Sequence, residues 1–253
     1  MTRRFVLYET QGHVATITLH RPDVGNAIDE TMAAELREAC RAVVEDDSVY
    51  VAIVTGSGRH FSITDPSARQ PAGQEEFRER RVTDALAAIP KPLIAALNGD
   101  AIGQGLEVAL ACDLRIASDK ARFAIDQILH GHIPWDGGTQ RLPRFIPRAI
   151  ALELILTGKS ISASEAKELG LVNDVAPAGD VLTQAKALAA KLAAIAPIAA
   201  NYVKEATAKG MDMTLEQGLR LEADLAVLLH TTHDRAEGLK SFLEKRSPNF
   251  AGR

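Results

Sequence analysis

The chain has 253 residues, 46% hydrophobic and 25% charged, with a net charge of −4 and a pI of about 6.0. That length makes one large domain whose core needs no disulfide or metal to hold it. The mild acidity argues against nucleic acid or an anionic membrane surface as the main partner, and no apolar run reaches the roughly 20 residues of a bilayer span.

Two stretches that alternate with period two open the chain, at residues 5–9 and 14–19, with Gln11-Gly12 as the turn between them. This pattern is a strand pair rather than the apolar core of a leader. Asp29 or Thr31 caps a helix running to Glu45, with Met32, Leu36, Ala39 and Val43 on one stripe. A compact apolar strand is expected at 49–55. Residues 61–76 have no period and two prolines, which reads as a long loop. One helix is expected over 76–89, stopped by Pro90 and Pro92, and a buried strand over 93–97.

Gly103-Gln104-Gly105 turns into a helix, and short strands follow at 114–117 and 123–125. The segment 130–138 is rich in glycine and proline. Helices are expected at 140–145, 150–156 and from 164 to 169, then a long alanine-rich one over 180–196. Pro197 separates a core (residues 1–196) from a helical tail (197–253) with helices at 198–209, 214–230 and 233–245. Strands alternating with helices make this an α/β protein. Cys40 and Cys112 have no metal-like spacing, which points to a reducing compartment, the cytoplasm.

Three segments could carry chemistry. Glycines ahead of a helix bring bare N–H groups to its positive end, a place for an anion or for developing negative charge, and Glu107 lies one turn further on. The same pattern also serves as an ordinary helix start with an acidic first turn. His60-Phe61-Ser62-Ile63-Thr64-Asp65 follows a strand and offers either a second N–H donor or a plain strand exit. Gln127 to Arg141 holds His130, His132, the single tryptophan Trp135, and Asp136 before two glycines. The histidines read as ligands or bases, or as turn residues, without a carboxylate partner by spacing. Trp135 reads as packing or as a substrate wall, and Asp136 as a turn residue or helix cap.

Four stretches together resemble the crotonase (enoyl-CoA hydratase/isomerase) superfamily. They are RPDVGNAIDETM (21–32), KPLIAALNGDAIGQGLEVALACDLRIAS (91–118), the run from GHIPWDGGTQRLP to ELGLVNDV (131–175), and FLEKRSPNF (242–250). The resemblance implies a crotonase-like spiral of ββα units with a C-terminal helical trimerisation region, often paired into hexamers. It implies an acyl-CoA thioester partner, no cofactor beyond the coenzyme A of the substrate, and no nucleic acid or membrane partner. It also implies an oxyanion hole made by the N–H groups of Gln104 and Asp65, which stabilises a thioester enolate.

Asn26, Ala27, Ser62, Ile63, Phe242 and Lys245 match positions that bind CoA in the family, and Trp135 and His130 fall at the acyl pocket. Glu107 matches one of the two glutamates of the hydratases. The other position holds Gln127, which has no titrating proton. Further departures are the Phe61-to-Pro66 loop, Gln104 in place of a glycine, and Asp136 in place of a small residue. The catalytic set is therefore Glu107, Gln127, Asp136 and Asp65. Hydration of an enoyl- or cyclic dienoyl-CoA is the expected reaction. Double-bond isomerisation, C–C hydrolysis of a cyclic ketone, and acyl-CoA binding without catalysis are the alternatives.

Overall fold

A computed structural model describes residues 4–64 and 73–253. Strands β1 (Val6–Gln11) and β2 (Val14–Leu19) form an antiparallel pair, and helix α1 (Glu30–Glu45) follows. The hairpin turn is Gly12-His13, one residue later than the sequence predicts, because Gln11 already pairs with Val14. The Asp29 side chain caps α1 by accepting from the Met32 amide. Strand β3 (Val51–Gly56) leads to α2 (Gln74–Arg80) and α3 (Thr83–Ala87).

Next come β4 (Leu93–Leu97), β5 (Ala101–Ile102), α4 (Gln104–Leu110), β6 (Leu114–Ser118), β7 (Arg122–Ala124) and a 3-10 turn at Gln127–His130. Helices α5 (Gly138–Phe145) and α6 (Arg148–Thr157), strand β8 (Ile161–Ser162), α7 (Ala163–Glu168) and β9 (Asp174–Ala176) complete the sheets. Helix α8 (Val181–Ala193) then crosses the large sheet. Helices α9 (Pro197–Gly210), α10 (Leu215–Leu229) and α11 (His233–Leu243) form the tail.

The large sheet has the order β1-β2-β3-β4-β6-β9, parallel from β2 onward, and a smaller sheet has the order β5-β7-β8. Two successive ββα units place their first strand (β4, β6) in the large sheet and their second (β5, β7) in the small one. A bridge from Ser62 to Ala101 adds the turn after β3 to the same pattern. This is the repeated ββα winding that the resemblance implies.

Both faces of the large sheet are covered, so β3 and β4 are apolar without interruption. Ala52, Val54, Leu93, Ala95 and Leu97 face the main core beneath α1, α3 and α4. Val51, Ile53, Ile94 and Ala96 point the other way, onto Val181, Ala185 and Ala189, which lie at four-residue spacing along α8. The tail is joined to the core by Lys204, whose ammonium lies 2.7 Å from Asp113 and donates to the Lys91 carbonyl.

One expected helix is two. The backbone is extended at Arg81, and α3 starts afresh at Thr83. The Asp136 carboxylate, more than fifty residues away, accepts from the Val82 and Thr83 amides and begins the new helix there. No helix among the described residues is by itself long and apolar enough to cross a membrane.

Candidate active site

The site is assembled at the start of α4. Gly103 has φ +62° and ψ −125°, and a Cβ there would lie 2.0 Å from Thr64 Oγ1 and 2.8 Å from Asp126 Oδ1. Only glycine fits a turn pressed this closely against the exit of β3. Gln104 is the first residue of α4, so its N–H has no carbonyl four residues back to donate to and stands at the positive end of the helix.

One turn further on, Glu107 is fully buried. Its Oε1 accepts from the amides of Asp136 (2.9 Å) and Gly138 (2.8 Å), and its Oε2 accepts from Gln127 Nε2 (2.9 Å). A Cβ on Gly138 would stand 3.1 Å from Oε1, so the glycine is what lets the backbone come this close. Burial pushes the Glu107 carboxyl from the ordinary 4.5 up to about 7; the Gly138 amide opposes the rise and the charge of Asp136 adds to it. A carboxyl that changes state near neutrality is suited to take up and return a proton.

Gln127 comes from the 3-10 turn after β7 and is 7% exposed. Its Nε2 is directed at Glu107, while its Oε1 is buried and has no hydrogen-bond partner. That leaves one strong acceptor beside the carboxyl. Asp136 is also fully buried. Its carboxylate accepts from Val82 N (3.0 Å), Thr83 N (3.3 Å), Thr83 Oγ1 (2.8 Å) and Gln104 Nε2 (2.9 Å). Burial raises its pKa, and these donors pull it back. Of the two sequence readings, turn residue or helix cap, Asp136 is a cap, but of the distant α3; the adjoining α5 has Gly137 as its N-cap and no side-chain cap.

Comparisons with known proteins concern the whole chain. The sequence model described as enoyl-CoA hydratase/isomerase matches residues 9–253. The (E)-benzylidenesuccinyl-CoA hydratase of Thauera aromatica is 40% identical, over 98% of this chain and 99% of that protein. The 2,3-dehydroadipyl-CoA hydratase of Escherichia coli is 37% identical, over 98% and 99%. The crystal structure of an enoyl-CoA hydratase from Bacillus anthracis superimposes with a TM-score of 0.94 at 36% identity, covering 99% of this chain and 100% of that one. The chain belongs to the enoyl-CoA hydratase/isomerase family.

Within this crotonase fold, Glu107, Gln127, Gln104 and Asp136 are brought together, and Asp65 lies outside the described residues. Asn26 is fully buried at φ +57°. Its side-chain amide donates to the carbonyls of Ser57, His60 and Phe61, and its Oδ1 accepts from Arg21 N. Ser62 is buried and donates to the Asn26 carbonyl, and the Ile63 amide donates to the Gly25 carbonyl. Ala27 is half-buried beside them.

Trp135 is half-buried and meets Phe77 of α2 edge-on, with ring centroids 5.3 Å apart. His130 is exposed and does have a carboxylate neighbour, Asp126, at 3.8 Å, one helical turn away. Phe242 and Lys245 are exposed at the end of the tail, and Lys245 lies past α11 at φ +52° rather than on a helix face. Sequence reasoning missed Thr83 and Arg141. Arg141 Nη1 donates to Thr83 Oγ1 (2.8 Å) and to the Asp136 carbonyl (3.1 Å). A β-branched threonine inside an expected helix was the available signal at 83; nothing marked Arg141.

Proposed function

We propose that the protein hydrates an enoyl-CoA thioester, with Glu107 as its one titrating acid–base group. The observation that carries this reading is the buried Glu107 carboxyl, poised near neutrality one turn from the free amide end of α4. The thioester oxygen rests on the Gln104 amide, which takes up charge of the enolate, and the resemblance implies Asp65 as the second donor. Losing one such donor costs about 100- to 1000-fold in rate.

Ionised Glu107 accepts a proton from water as the oxygen adds at the β-carbon, and the same carboxyl returns that proton to the α-carbon. One proton is taken and one is returned, so the step balances without a second acid. Gln127 donates to Glu107 Oε2, and its free Oε1 accepts the second hydrogen of the water. Gln127 therefore orients where a second glutamate would titrate. Both hydratase relatives named above act on enoyl-CoA thioesters, which supports the same substrate class here.

Asn26, Ala27, Ser62 and Ile63 shape the CoA channel through their backbone, because the polar side chains of Asn26 and Ser62 are already hydrogen-bonded within the protein. Trp135 and His130 lie on the acyl side, and Phe242 and Lys245 touch CoA across a subunit boundary. Helices α9 to α11 bury only Pro197, Leu225, Asp234 and Ser241, and leave Val203, Leu215, Leu219, Val227, Phe242 and Leu243 exposed. We read this apolar surface as the contact of a trimer, or of trimers paired into a hexamer, in the cytoplasm.

The test is incubation with crotonyl-CoA and with cyclic enoyl- and dienoyl-CoA thioesters, following conjugated-thioester absorbance and product mass. Gain of one water on any of them, lost in Glu107→Gln, is the expected result. Tight thioester binding with no water added to any of them overturns it in favour of isomerase, hydrolase or binding roles.

A further inference from the structure

Two departures from the family pattern, Gln104 and Asp136, are in contact with each other. Gln104 Nε2 donates to Asp136 Oδ2 at 2.9 Å and to the Arg80 carbonyl at 2.8 Å. Building on the hydratase reading above, we propose that these two residues are a matched positioning pair. They hold the oxyanion turn, Glu107 and the segment 80–83 in register, and Asp136 carries no proton in the reaction.

The first argument is connectivity. Gln104 bears the proposed oxyanion N–H and lies three residues before Glu107 on α4. Asp136 bears an amide that donates to Glu107 Oε1. The side-chain bond between them closes a loop through both halves of the site. Through Arg80 O, Val82 N and Thr83 N the same pair holds the break between α2 and α3. Helix α2 carries Phe77 against Trp135, so the acyl side is tied to the oxyanion side.

The second argument is the chemistry around Asp136. Val82 N–H, Thr83 N–H and the Gln104 amide are all donors, and the amide's orientation is set by its second bond to Arg80 O. Thr83 Oγ1 accepts from Arg141, which leaves its own proton for the Asp136 side. A protonated Asp136 would place an O–H against a donor, so these donors favour the ionised form, against the burial that raises its pKa. The charged groups facing it are Arg81 (3.8 Å to Oδ1), Arg141 and, from α4, Glu107; Asp84 lies beyond, paired with Arg81 and 3.9 Å from Arg141.

The third argument is pairing. With a small residue at 104, Asp136 loses one donor and Arg80 O loses its bond. With a small residue at 136, two backbone amides and the glutamine lose their acceptor. Each change alone disrupts the same cluster, so the two losses overlap.

The experiment is a cycle of Gln104→Ala, Asp136→Asn and the double variant. It measures kcat, KM and the pH profile on an enoyl-CoA that the wild type hydrates, together with amide exchange at Val82 and Thr83. Each single variant is expected to lower kcat about 10- to 100-fold with KM changed less than about threefold. The double is expected to be no worse than about the poorer single. Exchange at Val82 and Thr83 should speed up in every variant. The pH midpoint of kcat/KM should fall in Asp136→Asn, because a negative neighbour of Glu107 is gone, and a merely structural lesion would not move it in that direction.

Loss of about 10⁴-fold in Asp136→Asn with Gln104→Ala near wild type would make Asp136 the proton carrier and overturn the proposal. Additive losses, or unchanged exchange at both amides, would overturn it as well. If the wild type hydrates no thioester, the hydratase reading fails, and the exchange arm of the cycle still decides whether the pair exists.

Discussion

Replacing Glu107 with glutamine should abolish activity while stabilising the fold, and the gain should depend on pH. The folded carboxyl titrates near 7, against 4.5 for an ordinary glutamate. Between those values the folded chain binds a proton that the unfolded chain releases. This group's contribution to stability is therefore full below about pH 4.5 and is lost as pH rises through about 7. At about 1.4 kcal/mol per pH unit of difference, the ionised wild type gives up about 3 kcal/mol above pH 8. Glutamine has nothing to ionise. Its oxygen can keep the amides of Asp136 and Gly138, and its Nε2 can donate to Gln127 Oε1 once the Gln127 amide turns over, because that oxygen has no partner in the wild type.

Denaturant unfolding of both proteins at pH 5 and pH 8 checks this. The variant should gain about 2–3 kcal/mol on the wild type between the two pH values, while its kcat is about 10²- to 10⁴-fold lower. A stability difference that stays flat from pH 5 to pH 8 would show that Glu107 ionises normally in the folded chain, and the argument for a poised carboxyl would fail.

Gly103→Ala should lower stability by about 1–3 kcal/mol and activity by more than stability alone explains, since the new Cβ meets Thr64 Oγ1 at 2.0 Å in a left-handed turn; thermal unfolding and kcat check the two parts. Asn26→Ala should cost about 2–4 kcal/mol in denaturant unfolding, because the buried Phe61 carbonyl and the part-buried Ser57 carbonyl lose this donor and the His60 carbonyl keeps only Asn98. Gln127→Glu puts a second carboxyl within 2.9 Å of Glu107, so the two should titrate as a pair. The kcat/KM profile, which in the wild type rises as Glu107 ionises, should then gain a limb that falls at higher pH as the second carboxyl of the pair ionises, as steady-state rates across pH will show.

Much of the site was legible locally. Gly103-Gln104-Gly105 before Glu107 is a run in which backbone geometry and helix polarity act within one turn, so the glycine turn and the carboxylate one turn further on could be placed by spacing, while the oxyanion role came from the resemblance. Strand β2 and helix α1 follow from patterns of period two and 3.6 and from a local cap, and β4 from an unbroken apolar run, all carried by neighbouring residues. The break at Arg81–Val82 was not legible. The carboxylate that starts α3 belongs to Asp136, and a helix pattern over 76–89 says nothing about a cap supplied from another segment.

The partners of Asp136 were likewise out of reach, because Gln104, Thr83 and Arg141 meet only after four segments have packed. The state of Glu107 was equally hidden. A glutamate in a sequence has the ordinary pKa, and only burial beneath Gly138, Asp136 and Gln127 raises it to about 7. The order of residues thus determined which groups stand at the start of α4. The tertiary structure decided their charge and their partners, because desolvation and hydrogen bonding depend on which distant segments close over them.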